Sequence, residues 1–442
     1  MSEAAREVLD QPRYVCALGA MQTVQGIHRA VPVLHAGPGC AQKLAGGIAG
    51  SNGDSGYIAP QIYPCTNVSE TETIFGGEDA LRNTIQGALQ VVDADLYVVL
   101  SGCTPEIVGD DIAAVVDGLG PTPKPVVHAQ TAGFRGTNLQ GHDWVLSAII
   151  DQYLGRRPAA DVVPGLVNIW GPVPSYDPFW TGNLRELESL VRELGLEPNI
   201  VFGEHRGLPE LDRVPQAELN LLVSPWVGLE PVRLLEERFG TPFLHYPALP
   251  VGAFETSRFL RTLGERLGVA SERVESVIDR HEREYYYHIE RTCDVFLENR
   301  AMSRRFSVVS DATTALAVSR FLVNDFGLVP ATQYVTDATP PEHRPAIEAA
   351  FRDFQYGITA DVVFSTDGFR IHEDIRATDY FGPPLVIGSI FEKKLAESLG
   401  GNFLAVSAPL KERLVLSSSY VGYRGGLTLL EDLYEYVLRK FN

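Results

Sequence analysis

Three thiols carry the chemistry that this sequence offers. Cys40, Cys65 and Cys103 stand in "VPVLHAGPGCAQKL", "QIYPCTNVSETETIFGGEDAL" and "YVVLSGCTPEIVGDDI", each just past a strand-like apolar run and beside Gly or Pro. Random burial would scatter thiols along strands and helix faces, so three at separate strand ends read as a converging metal-ligand set. The competing reading is three buried structural thiols, because free Cys is among the most buried residue types. Spacings of 25 and 38 residues leave no C-x-x-C zinc pair. A cuboidal iron–sulfur cluster usually takes four thiolates, so a set of three implies a non-Cys ligand or a cluster shared with another chain. The neighbouring glycines would let backbone N–H groups approach the sulfides and tune the potential.

The elements that must hold these residues are legible in the same segments. Tyr97-Val98-Val99-Leu100 has the unbroken apolar character of a strand buried on both faces. Thr104 is the predicted N-cap of the following helix, with Pro105 in its first turn. Cys103 then sits at the carboxyl end of a parallel strand, where open α/β sheets place their ligands. Apolar runs alternate with helical stretches throughout, which predicts an α/β fold of three Rossmann-like domains with parallel β-sheets flanked by helices. The first block, 1–165, holds "AVPVLHAG", "DLYVVLSG" and "PVVHAQTAGF". The second, 166–300, holds "GLVNIWGP", "NIVFG", "LNLLVSP", "PFLHYP" and a long helix over about 271–300. The third, 301–442, starts at "RRFSVVSDATTALAV" and closes with a C-terminal helix in "GGLTLLEDLYEYVLRKF". No strand is followed by G-x-G-x-x-G or by G-x-x-x-x-G-K-[ST], so a nicotinamide or ATP site has no support, and "VSDATTA" reads as a plain helix start.

Composition narrows the partners. The chain has 442 residues, 45% of them hydrophobic, and a formal net charge of −19. That balance argues against nucleic acid and anionic membranes as partners, since both call for clustered cations. No apolar run approaches the ~20 residues needed to span a bilayer. Five cysteines make no disulfide scaffold, and "MSEAAREVLDQPR" carries no signal-peptide core, so a reducing cytoplasm is the expected compartment.

The three Cys segments resemble the β-type subunit of nitrogenase component 1. "HAGPGC" at 35–40 is similar to that family's "HGxxGC", "CTNVSETETIFGG" at 65–77 to its Cys, acidic stretch and "VFGG", and "SGCTPEIVGDD" at 101–111 to its "TTCxxEIIGDD". "VCALGAMQTVQGI" resembles the family's "CxPxGA" motif, in which the Cys, here Cys16, is not a cluster ligand. "TAGFRGTNLQGHD" and the closing "FLAVSAPLKERL" and "GYRGGLTLLEDL" extend the resemblance over nearly the whole chain. By this resemblance Cys40, Cys65 and Cys103 hold one half of an 8Fe–7S P-cluster. An α-type subunit of an α2β2 heterotetramer supplies the other thiolates. An ATP-dependent iron protein delivers electrons, and the catalytic iron–sulfur cofactor lies on the α subunit. Ser224 in "LNLLVSPWVG" stands where α subunits carry the Cys that binds that cofactor, so this chain is expected to hold no catalytic residue. Cys293 matches no family ligand.

The sequence also departs from the family. "AQKLAGGIAGSNGDSGYIAPQIYP" is rich in small residues where nitrogenases are aromatic and basic. Thr137 replaces a Ser that can ligate the oxidised P-cluster in molybdenum enzymes, which makes Thr137 a candidate oxygen ligand. These departures resemble a nitrogenase-like reductase of the methylthio-alkane reductase type, cleaving C–S bonds of small thioethers. A vanadium or iron-only nitrogenase, and a non-enzymatic cofactor-assembly scaffold, are the alternatives. His35 is expected either to support a ligand or to cap its strand. At least one of Asp110 and Asp111 is expected on a solvated helix face, "SETET" at 69–73 reads as a solvated helix start, and Glu70 and Glu106 are candidate docking residues for the iron protein.

Overall fold

The apolar run at 30–35 has no polar face to turn to water, and it forms β1 (Ala30–His35), buried at every position. β2 (Leu96–Ser101) is buried in the same way, and β3 (Val126–Gln130) completes a three-stranded sheet of order β1-β2-β3. The structure is a computed structural model that describes residues 16–51, 63–157, 161–299, 303–411 and 413–439. Pairing in this sheet is parallel, with His35 opposite Ser101 and Ser101 opposite Gln130. The three strands therefore end at one level, and the loops that leave them start side by side.

Two further sheets follow. The second has the order β5-β4-β6-β7, from β4 (Val163–Trp170), β5 (Glu197–Asn199), β6 (Ala217–Val223) and β7 (Phe243–Tyr246). The third contains β8 (Arg305–Ser310), β9 (Val329–Pro330), β10 (Gln333–Val335), β11 (Val362–Phe364), β12 (Leu385–Gly388) and β13 (Asn402–Ala405). Its order is β11-β10-β8-β12-β13, with β9 paired to β8. Every named strand pair is parallel. Parallel strands need helical crossovers that cover both faces, and the α/β class expected from the sequence is what forms.

Two local readings change. β4 starts at Val163, so the second sheet's first strand straddles the expected boundary at 165. "NIVFG" contributes only Asn199 to β5, while Ile200, Val201 and Phe202 are buried outside any strand. A short apolar run is buried in either setting, so its periodicity does not separate the two. Asp311 caps the helix Ala312–Asn324 by accepting from the Thr314 N–H at 3.0 Å, as "VSDATTA" suggested. The expected long helix spans Ser271–Asn299 and the closing helix Gly422–Arg439.

One core of buried side chains runs through all three sheets. It encloses a charged pair: Arg320 Nη1 lies 2.7 Å from Glu255 Oε1, and both side chains are only 2% exposed. Glu255 belongs to the helix Gly252–Arg266, so the pair ties that helix to the third block. Removing one partner strands a buried charge. Arg320→Met should lower stability by about 3–5 kcal/mol, seen as a lower urea midpoint, and an unchanged midpoint would contradict this role.

Candidate metal centre

The segments beyond β1 and β2 carry the predicted thiols. A tight turn after β1 leads into α1 (Pro38–Ser51), where Cys40 is the third residue and is exposed. The Cys65 segment lies along the end of β1: Leu34 N–H donates to Pro64 O at 2.8 Å, and Thr66 N–H to Leu34 O at 3.0 Å. That pairing makes Cys65 the parallel neighbour of Leu34. The chain then enters α2 (Glu70–Phe75), capped by Ser69 with Glu72, as the acidic run suggested. Cys103 itself opens α3 (Cys103–Val108), with Gly102 as N-cap, so the helix begins earlier than a Thr104 cap would have it. Gly102 is needed there because a Cβ would stand 2.9 Å from Ala36 Cβ. Only a bare backbone lets the two loops approach so closely.

A buried imidazole adds a side-chain link between these loops. His35, the last residue of β1, is fully buried. Its Nδ1 lies 3.1 Å from Thr66 Oγ1 beside Cys65, and its Nε2 lies 2.9 Å from Asp110 Oδ2 beyond α3. Asp110 is buried and also accepts from the Gly77 N–H, at 2.9 and 3.0 Å. Burial lowers the His35 pKa, so the ring is neutral near pH 7. Asp110 Oδ2 accepts from Nε2, and Nδ1 faces the Thr66 hydroxyl, which also lies within 3.3 Å of Ala36 O. His35 is thus a brace between loops. Asp111 is the exposed one of the two acids and caps the next short helix.

Glu106 has a different role from docking. Its side chain is only 4% exposed and pairs with Arg135. It accepts from Ser101 Oγ at 2.5 Å and from the Ala132 N–H at 3.1 Å. These contacts hold the loop after β3 against α3, where the Gly133 N–H donates to Cys103 Sγ at 3.2 Å. The Asn67 N–H donates similarly to Cys65 Sγ at 3.4 Å.

Cys40, Cys65 and Cys103 all lie near the carboxyl ends of β1 and β2. Burial pushes the Cys40 and Cys65 thiols above their ordinary pKa, and nearby thiols add to it: Cys103 acts on Cys40, and Cys40 on Cys65. A fourth thiol joins them. Cys16, which the sequence reading set aside, pairs through its backbone with Thr137. A Cβ on Gly133 would lie 3.3 Å from the sulfurs of both Cys16 and Cys103. No local pattern links Cys16 to these loops, and only the fold brings it in. Thr137 itself is buried as the N-cap of α4 (Asn138–Gln152), its hydroxyl 3.4 Å from Gln140 Oε1. The Cys293 side chain and residues 52–62 lie outside the described residues.

Among the described residues, no three His, Cys, Asp or Glu side chains are close enough to share one metal ion. A thiol set spread over three loops, with backbone N–H groups aimed at its sulfurs, instead fits a polynuclear iron–sulfur group. Ser224 is fully buried with its Oγ 3.4 Å from Thr313 Oγ1. The adjoining cavity, between the carboxyl ends of β4 and β8, measures about 20 Å³ and is lined by Asp177, Asp311, Thr313 and Asp337 among others. That is room for about one water.

Residues 16–438 match the sequence profile described as "Nitrogenase component 1 type Oxidoreductase". The chain belongs to that family. It is 23% identical over 455 residues to the "Nitrogenase molybdenum-iron protein beta chain" of Clostridium pasteurianum, covering 96% of this chain and 92% of that one. It is also 25% identical over 375 residues to a "Nitrogenase molybdenum-iron protein alpha chain" of Methanothermobacter thermautotrophicus, covering 84% and 73%. A solved structure described as "Nitrogenase Cp1 at pH 6.5" superposes with a TM-score of 0.80 at 20% identity, covering 100% of this chain and 95% of that one. Family membership makes this chain an oxidoreductase-type subunit related to β chains. No helix among the described residues is long and apolar enough to cross a membrane.

The His35 brace predicts a local effect. Asp110→Ala leaves the Gly77 N–H and the His35 Nε2 unpartnered, costing about 1–3 kcal/mol for each buried group. Amide hydrogen exchange should rise across residues 66–77 and 103–110 and stay unchanged in the second and third sheets. Unchanged exchange in both loops would contradict the brace.

Proposed function

We propose that this chain is the β-type subunit of a nitrogenase-like reductase, in which Cys40, Cys65 and Cys103 hold its half of an iron–sulfur P-cluster. The observation that carries this reading is the convergence of the three thiols at the level where adjacent parallel strands end. When bound, such a group accepts and passes on single electrons. The protein's own part is to hold three sulfurs in fixed positions, supply Gly133 and Asn67 N–H groups to two of them, and keep His35 neutral between the loops. Cys40 and Cys16 are exposed on this face of the single chain. An α-type subunit covering that face in an α2β2 heterotetramer would complete the ligand set and shield it from water. The 20 Å³ cavity beside Ser224 supports leaving the catalytic cofactor to that partner.

An ATP-dependent iron protein is assigned to the surface formed by α2 and α3. Ile74, Phe75 and Ile107 there are 71%, 83% and 74% exposed, an apolar patch of the kind that marks an interaction site. Glu70 stays at its edge, while buried Glu106 drops out. The substrate reading is C–S cleavage of small thioethers, of the methylthio-alkane reductase type. It rests on the small-residue segment between Cys40 and Cys65 and on Thr137. Dinitrogen reduction is the second reading, favoured by the molybdenum-iron β chains among the relatives. ATP-dependent release of a thiol and a hydrocarbon by the purified complex supports the first. Ammonia from dinitrogen, without thioether cleavage, overturns it.

Two outcomes test the electron-relay role. Cys40→Ala, Cys65→Ala and Cys103→Ala should each strip iron from the co-purified complex, while Cys293→Ala should not. A mere packing thiol trimmed to a methyl would cost roughly 1 kcal/mol and leave iron untouched, so equal iron in all four variants refutes the assignment. Phe75→Asp should slow iron-protein-dependent reduction at unchanged iron content, and full turnover at every ionic strength would remove this docking surface.

A further inference from the structure

We infer that a cavity at the junction of the three blocks, floored by Asp143 and walled by Trp226, is a binding site for a small organic carboxylate with a flat apolar body. The inference is independent of the iron–sulfur reading above.

The helix α4 supplies Gln140, Asp143 and Trp144 to this cavity, the segment after β6 supplies Trp226 and Arg233, and the segment after β10 supplies His343. Its volume is about 360 Å³. Small-molecule sites have that size and favour junctions between packed units. One wall is held in place in advance. Trp226 is 3% exposed, its Nε1 donates to Asp337 at 3.0 Å, and the His343 ring stacks on it with 6.0 Å between centroids. A rigid aromatic face takes up a flat partner with little ordering cost. Leu229 and Pro340 add apolar surface beside it.

The polar groups that meet the cavity are donors. Gln140 spends its Oε1 on the Thr137 N–H at 2.8 Å, which leaves Nε2 without a protein partner among the described residues. Asp143 is 5% exposed and accepts from the Gly228 N–H through Oδ1 at 2.8 Å, while its Oδ2 has no such partner. Burial, with Glu230 adding to it, pushes the Asp143 carboxyl well above the usual carboxylate range. The protonated form is favoured, and it adds an O–H donor. Arg233 makes no ion pair among the described residues. An amide N–H, a carboxyl O–H and a guanidinium together call for a ligand rich in acceptors, and a carboxylate matches the guanidinium fork. Glu230 and Glu342 also border the cavity, but both are exposed, where water screens their charge.

The test titrates benzoate into the co-purified complex by calorimetry. Acetate, which lacks the flat body, and benzyl alcohol, which lacks the carboxylate, are the comparison ligands. Benzoate should bind, with each of the other two at least about tenfold weaker. Arg233→Gln should weaken benzoate at least about tenfold. Asp143→Asn keeps an acceptor for Gly228 and a donor toward the cavity, so its affinity should stay within about threefold of wild type. Amide hydrogen exchange then locates the ligand: benzoate should protect residues 226–233 and 340–343 in the wild type. No benzoate binding at millimolar concentration, unchanged affinity in Arg233→Gln, or protection confined to other segments would overturn the site. Equal binding of benzyl alcohol would overturn the carboxylate assignment, and equal binding of acetate would overturn the flat body.

Discussion

The buried contact between His35 and Asp110 is the constraint on which the rest of this site depends. Backbone bonds tie the Cys65 segment and Gly102 to the end of β1, and side chains must fix the loops beyond it. One neutral ring, reaching Thr66 on one side and Asp110 on the other, joins the loops of Cys65 and Cys103 to the strand that precedes Cys40. Asp110 passes the restraint on to Gly77 at the far end of α2. Because all four groups are buried or part-buried, each bond acts in a low dielectric, and a lost partner leaves an unsatisfied polar atom. This explains why His, Gly and Asp recur beside the thiols in the sequence. They are the positioning frame, and the sulfurs are its cargo.

A second contrast lies between the two crevices of the chain. Beyond the first sheet the thiols open onto an exposed face, with apolar side chains on α2 and α3 turned to solvent. Between β4 and β8 the corresponding space is closed. Asp337 accepts from Trp226 Nε1 at 3.0 Å and from the Ala312 N–H at 2.9 Å, cross-linking loops that would have to part around a ligand. Burial raises the pKa of Asp177 to about 7 and raises that of Asp337, a setting that disfavours further negative charge. The same α/β plan thus offers one open site and one filled one.

Much of this was legible in the residues. The runs that became β1, β2 and β12 are almost wholly apolar and end at or near Gly, so burial on both faces leaves few alternatives. Cys40 and Cys103 could be grouped because each follows such a run, whereas the run before Cys65 forms no strand among the described residues and Cys65 instead bridges Leu34 at the end of β1. Glu106 could not be read, since an acid in the first turn of a helix looks solvated until the loop after β3 is seen to fold over it. His35 was recognised as important but not as a brace, because its partners lie far away in sequence. Cys16 was missed for the same reason, its link to Cys103 passing through Gly133 and the backbone pair with Thr137. Helix onset at Cys103 depended on Gly102 packing against Ala36, a contact between loops and not a local preference.

The central claim is that these thiols hold iron jointly with a partner chain. The most direct measurement is anomalous diffraction at the iron absorption edge from crystals of the co-purified α/β complex. A compact group of iron peaks is expected at the subunit interface, bonded on this side by Cys40, Cys65 and Cys103, with none near Ser224. Iron peaks absent from that interface, or all three sulfurs seen unbonded beside it, would contradict the account.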